Sequence, residues 1–165
     1  MEDICVSVHM STYNQKEYIA SAIEHVLRQK TRFPFELIIG EDYSTDGTRE
    51  IVFQYHGKNP QIIRVVTADA NVGAAANKNR ILEACRGKYI AFCDGDDYWH
   101  DPEKLQKQVD FLESHPDCGL VHTDFDKLKV HKGKLIPSWQ QSHKIKIPEG
   151  RAYEELLEGT FINSS

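Results

Sequence analysis

The sequence predicts an α/β fold, a mostly parallel central sheet flanked by helices, and three observations predict it. Four short apolar runs, rich in β-branched residues, alternate with three stretches of helical periodicity before Asp94. The connections between them are short, as right-handed βαβ units require. Each apolar run also ends on polar residues, at the edge of such sheets where ligands bind.

Residues 4–10 read as a buried first strand, broken by the turn-forming Ser11, Thr12, Tyr13 and Asn14. From 16 to 29, Tyr18, Ile19, Ala22, Ile23, Val26 and Leu27 recur at the spacing of one helix face. Residues 33–40 form the second strand, which leaves through Glu41, Asp42 and Ser44. Asp46 is an N-cap type residue for the next helix, with Ile51, Val52 and Tyr55 on its inner face. Residues 62–66 are the third strand, followed by a polar loop to Asn71 and Gly73. Residues 74–86 form a small-residue helix with Ile81, Leu82 and Cys85 facing inward and Gly87 as its C-cap. Residues 89–93 are the fourth strand, running directly into Asp94, Gly95, Asp96 and Asp97. Downstream, Asp101 and Pro102 signal a helix start, and Leu105, Val109 and Leu112 carry that helix inward. Residues 118–123 read as a fifth strand, 125–130 with 134–136 as a hairpin, and 151–158 as a short helix with Leu156 and Leu157 buried.

At 165 residues, 40% hydrophobic and 27% charged, the chain supports one domain with one sizeable core. A net charge of -5 argues against a partner gripped through phosphates, so no nucleic acid is expected. No run approaches the roughly 18 apolar residues of a membrane span. The acidic start enters a strand at once instead of forming a secretory signal, so a cytoplasmic location is expected. The four cysteines lie far apart without a CxxC pair and read as small buried hydrophobes in a reducing compartment.

Three carboxylates in four residues, Asp94, Asp96 and Asp97, repel one another unless a cation neutralises them. Hard oxygens at that spacing suit Mg²⁺ or Mn²⁺, which would leave positions open for a diphosphate. The alternative is an acidic turn capping the next helix. Four polar exits along one sheet edge favour a site over four unrelated turns. Asp42, at the end of the second strand, can accept from a base N–H or a ribose hydroxyl, or cap the following helix. Tyr13 can stack on a nucleobase or simply pack. Asn71 and Gly73 suggest a tight turn that brings backbone close to a ligand. Lys78 can meet phosphates, whereas Arg80 reads as part of a solvated face. Glu17 reads as support for the first helical turn.

The segments 6–14, 36–48, 71–73 and 87–97, together with Trp99, resemble in order and spacing the family 2 glycosyltransferases of the GT-A fold. The resemblance spans roughly residues 4–124. It implies a Rossmann-like GT-A fold and an inverting transferase that moves a sugar from a nucleotide-diphosphate sugar, foremost a UDP-sugar, using a divalent metal. Carried over residue by residue, Ser11, Thr12 and Tyr13 match the segment lining the base, and Asp42 the acid that bonds it. Asp94 and Asp96 match the DxD motif that contacts the ribose and the metal-bound diphosphate. The expected donor-binding set is therefore Ser11, Thr12, Tyr13, Glu17, Asp42, Lys78, Asp94 and Gly95, with metal at Asp94 and Asp96. Two departures stand out: Glu41 occupies a position where the family often has Asp, and Asn77-Lys78-Asn79 replaces a frequent Ala-Arg-Asn.

Members of that family continue into a region that builds the acceptor site and supplies a general base. The expectation is thus a donor-binding core over 1–124, and over 125–165 the start of an acceptor-side region that is truncated, with the base beyond residue 165. Glu154, Glu155 and Glu158 have the spacing of a solvated helix face, and none is assigned as base. The expected acceptor is a saccharide or lipid-linked saccharide, as in polysaccharide biosynthesis, which allows a peripheral place at the inner membrane face. Association of copies through Phe161 and Ile162 is a further expectation. Two rivals remain: a non-catalytic nucleotide-sugar-binding module, and a phosphotransferase with an Asp nucleophile, which would carry its DxD after the first strand.

Overall fold

The computed structural model describes residues 3–129 and 134–138. By its internal contacts the chain divides at 109/110 into two compact units. The first holds four parallel strands, β1 (Val6–Thr12), β2 (Phe35–Glu41), β3 (Ile63–Thr67) and β4 (Tyr89–Phe92), in the order β3-β2-β1-β4. Between them run α1 (Ile19–Leu27), α2 (Thr48–Lys58) and α3 (Ala74–Ala84), and α4 (Lys104–Ser114) follows β4. The mostly parallel sheet flanked by helices is the α/β fold expected.

Strand alternation divides the core between the two faces. Val6, Val8 and Met10 point to one face with their register partners Leu37 and Ile39. They form one buried cluster with Ile19, Ile23 and Val26 of α1, Val52 of α2, and Leu105 and Val109 of α4. Each such fully buried aliphatic contributes roughly 1.5–3 kcal/mol. The opposite face lies under α3. There Gly40 admits the helix: a Cβ at this position would stand 2.4 Å from both Asn77 Oδ1 and Ile81 Cδ1.

Several element ends differ from the sequence reading, each for a local reason. Helix α1 starts at Ile19 instead of residue 16, because the Gln15 and Lys16 amides donate to Thr48 Oγ1 and Asp46 Oδ2. Tyr18 is accordingly exposed. Gly47, at φ 105°, is the N-cap of α2, and Asp46 acts from one residue earlier by accepting from the Thr48 amide. Helix α3 stops at Ala84, and Gly87 is not its C-cap. The Arg86 and Gly87 amides are drawn off by Ser7 Oγ at 3.0 and 2.8 Å. Leu82 is exposed, since Asn77 and Ile81 occupy the buried face of α3. Helix α4 starts two residues after Pro102, with Asp101 Oδ1 accepting from the Glu103 amide.

In the second unit, β5 (Lys127–Lys129) pairs antiparallel with β6 (Lys134–Ile136), the expected hairpin in shortened form. The fifth strand expected over 118–123 is irregular chain instead. Leu120 there is 55% exposed, so its apolar side chain drives no burial into a sheet. The helix expected over 151–158, the late glutamates and the Phe161–Ile162 pair lie outside the described residues.

Candidate functional site

The carboxyl ends of β1, β2 and β4 meet at one edge, and the exits of β1 and β2 are laced together. The Asp42 amide donates to Thr12 O at 3.1 Å, and the Asn14 amide to Ser44 Oγ at 3.0 Å. Asn14 Oδ1 takes the Thr45 amide at 2.9 Å. The Asp46 carboxyl sits below its ordinary value. Its slight burial works the other way, but donors from Thr48 and Lys16 outweigh it.

Asp42 is almost fully buried and grips the loop before α3. Its Oδ1 accepts the Val72 amide and its Oδ2 the Gly73 amide, each at 3.0 Å, while Asn71 Nδ2 donates to Asp42 O at 3.0 Å. The helix-capping alternative for Asp42 thus fails at α2, since its carboxylate serves the entrance to α3. Each oxygen has a second lone pair. That on Oδ1 faces Arg80 Nη2 at 3.4 Å.

Arg80 corrects the expectation of a solvated face. Its side chain is only 18% exposed, with Nη2 donating to Glu41 O at 2.9 Å and Nε to Asn77 Oδ1 at 2.9 Å. Asn77 in turn donates to Gly40 O at 2.8 Å. Charge alone does not separate this arginine from a surface one; the close approach at Gly40, which brings the helix down onto β2, was the only signal available. Glu41, fully buried, accepts the Ser44 amide on Oε1 and Arg49 Nη1 on Oε2, both at 2.7 Å. Its extra methylene relative to Asp is what a reach from the strand end to α2 would use.

The acidic turn closes onto β1. The Gly95 amide donates to Ser11 O at 2.9 Å, and the Asp97 amide to Asp94 O at 3.0 Å. Gly95 is buried; a Cβ there would lie 2.6 Å from Gln15 Oε1 and 2.9 Å from Thr12 Oγ1. Both of those oxygens are buried without a hydrogen-bond partner. Lys78 Nζ reaches Asp94 Oδ2 at 3.3 Å, and Asp96 is exposed. Beneath Lys78, the buried His9 ring meets the Lys78 carbonyl through Nε2 at 3.2 Å and tilts against Phe92. A carbonyl accepts only, so His9 carries its proton on Nε2, and Nδ1 is left without a partner. Burial lowers its pKa below the ordinary value. Burial also pushes the Cys93 thiol far up, so it stays protonated and inert.

Ser11, Thr12, Asp42, Lys78, Asp94 and Gly95 are thus joined through one network around the strand ends, and Tyr13 stands exposed among them. Glu17 lines an open hollow of about 360 Å³ with Asn14, Gln15, Lys16, Tyr18 and Asp46. Among the described residues no three His, Cys, Asp or Glu side chains converge as a ready-made metal cage. The pair Asp94 and Asp96, beside the unpartnered Thr12 Oγ1 and Gln15 Oε1, fits a cation carried mainly by a ligand's own oxygens. No described helix is long and apolar enough to cross a membrane.

The family model of glycosyl transferase family 2 matches residues 7–162. TuaG of Bacillus subtilis, whose name places it in teichuronic acid biosynthesis as a glycosyltransferase, is 37% identical over 157 residues, 95% of this chain and 58% of its own. Two solved structures share the fold. One is Staphylococcus aureus TarS 1–349 in complex with UDP (TM-score 0.60, 24% identity, 88% of this chain and 51% of that one). The other is the mannosyltransferase PcManGT of Pyrobaculum calidifontis with GDP-Man and Mn²⁺ (TM-score 0.65, 20% identity, 90% and 51%). The chain spans 58% of the length of TuaG and 32% of that of a Mycobacterium tuberculosis relative, Rv1520, that is 46% identical over 112 residues.

Proposed function

The chain belongs to glycosyl transferase family 2, and from that premise we propose that it is the donor-binding part of an inverting, metal-dependent glycosyltransferase. The observation that carries the reading is the placement of α3 between two acids. Asp42 holds the loop that enters the helix, and Lys78, one turn in, pairs with Asp94 at the end of β4. A helix N-terminus offers unpaired amides and a partial positive charge, which suit a diphosphate lying between Asp42 and Asp94.

In this reading Ser11, Thr12 and Tyr13 line the nucleobase. Asp42 accepts a base N–H on the remaining lone pair of Oδ2, already oriented by the Gly73 amide. Asp94 and Asp96 would hold the divalent cation, which would supply charge neutralisation to the departing diphosphate. Lys78 turns from Asp94 to the phosphates, since an ion pair with both partners partly exposed is worth at most about 1 kcal/mol. In the transfer itself, an acceptor hydroxyl attacks the anomeric carbon from the face opposite the nucleotide. The C–O bond to the diphosphate breaks, and a base takes the hydroxyl proton.

That base is assigned to none of the residues described. The names of the structural neighbours, with UDP and with GDP-Man and Mn²⁺, support a nucleotide-diphosphate donor and a divalent metal. The name of TuaG supports a saccharide acceptor, which fits assembly of a polysaccharide on the cytoplasmic side of a membrane. Residues 1–124 form the donor core in this scheme, and 125–165 begin the acceptor side.

Calorimetric titration of UDP, GDP and their sugars, with and without Mn²⁺, tests the reading. Micromolar to millimolar binding that requires Mn²⁺ and disappears in Asp96→Ala is expected. Asp96 is exposed, so that variant keeps its fold. Absence of binding by any nucleoside diphosphate overturns the assignment.

A further inference from the structure

Tyr43 follows Asp42 in a conformation that a bulky side chain rarely adopts, with φ at 62°. The residue is nonetheless 44% exposed, so burial does not account for the strain. The residue is held from two sides by one buried carboxylate. Glu41 Oε1 accepts the Ser44 amide, fixing the backbone just beyond Tyr43. Glu41 Oε2 binds Arg49, whose guanidinium carbon lies 5.5 Å from the centre of the Tyr43 ring and 5.3 Å from that of Phe53. The guanidinium therefore backs the tyrosine ring while being anchored itself.

Tyr43 also has a counterpart across the sheet edge. Thr12 O binds the Asp42 amide and Ser44 Oγ binds the Asn14 amide, so Tyr13 and Tyr43 lie side by side between two successive cross-links. Tyr13 is 48% exposed, and no ring contact joins the two tyrosines among the described residues. Two half-exposed tyrosines thus follow the ends of β1 and β2, on either side of the bond from the Asp42 amide to Thr12 O, and neither ring uses the other as its partner.

We propose that Tyr43 is a second nucleobase-stacking residue, beside Tyr13, held in a strained backbone conformation by Glu41 and Arg49 so that its ring is in place before the donor arrives. This rests on the donor reading above and adds the residue that gives the base its affinity. A π-face accepts any base, so Tyr43 separates nucleotides from base-free phosphates instead of choosing between uracil and guanine.

The test is calorimetry of UDP, GDP and inorganic pyrophosphate, all with Mn²⁺, on the 165-residue chain and on Tyr43→Gly, Tyr43→Leu and Tyr43→Phe. Glycine removes the strain, so Tyr43→Gly is expected to melt no lower than the wild type, yet to bind UDP and GDP about tenfold more weakly. Tyr43→Leu keeps apolar bulk without a π-face and is expected to lose the same factor, whereas Tyr43→Phe binds like the wild type. Pyrophosphate affinity is expected to stay unchanged throughout. Nucleotide binding undiminished in both Tyr43→Gly and Tyr43→Leu overturns the proposal while leaving the donor reading intact, as does a parallel loss of pyrophosphate. A wild-type chain that binds neither UDP nor GDP overturns both.

Discussion

The Gly73 amide donates to Oδ2 of Asp42 at 3.0 Å, which fastens the entrance of α3 to the end of β2 through a nearly fully buried carboxylate. The Val72 amide does the same for Oδ1. An amide side chain cannot reproduce this arrangement, because one of its two heavy atoms is a donor facing a donor. Asp42→Asn is therefore expected to cost about 2 kcal/mol of stability as well as nucleotide affinity. Chemical denaturation run beside UDP titration reads both, and a variant as stable as the wild type would contradict this account of the loop.

Gly40 is where α3 comes closest to the sheet. Gly40→Ala would put a methyl 2.4 Å from Asn77 Oδ1 and Ile81 Cδ1, both on the buried face of the helix. Overpacking of this kind costs about 1–3 kcal/mol. It should also disturb Arg80, which is bonded to Asn77, and so weaken nucleotide binding. A drop in the urea midpoint together with weaker UDP binding is the expected result.

Lys78 and Asp94 are both partly exposed, so their pair adds little to stability. Lys78→Gln should change unfolding free energy by less than about 1 kcal/mol. Its affinity for UDP should fall several-fold, and more steeply at low salt, where screening is weakest. Titrations at two ionic strengths separate this from a packing effect, for which salt would make no difference.

Two buried groups contribute to the acid side of the stability profile. Burial lowers the pKa of His9, so the unfolded chain binds this proton more readily than the folded one. Its contribution is full above the unfolded value of 6.5 and is lost as pH falls toward the folded value. His9→Gln keeps a donor for the Lys78 carbonyl without titrating, and should lack this slope as pH falls below 6.5. Glu36 acts lower down. Its burial raises the pKa, but donors from Arg86 and Ser7 outweigh that and hold the carboxyl below 4.5. Its contribution is present above 4.5 and disappears as pH falls through the folded value, so Glu36→Gln should flatten the acid limb there. Unfolding midpoints measured across pH test both slopes.

Much of the α/β architecture was legible in residue order alone. Short β-rich apolar runs that alternate with helical periodicity, joined by short connections, identify a parallel sheet, because βαβ chirality leaves few other ways to bury such strands. The position of Asp42 and of Asp94 at strand ends follows from the same pattern. The termination of α3 was not legible, because it depends on Ser7 Oγ, a hydroxyl roughly eighty positions away, claiming two amides. Nor was the irregular chain at 118–123, whose apolar residues look strand-forming until their exposure is known.

By itself the sequence determined the α/β class and the edge of the sheet that carries the acids, since periodicity and local spacing encode these directly, and it pointed to the family through the resemblance of its strand-end motifs. Only the tertiary structure decided what each polar group is paired with. It turned Arg80 from a surface cation into a strut on Glu41 O, and left Tyr43 strained and half-exposed over Arg49. The reason is physical: hydrogen bonds and ion pairs between distant residues depend on how closely α2 and α3 approach the strand ends. That approach is set by packing, at Gly40 above all, and not by any residue's neighbours in the chain.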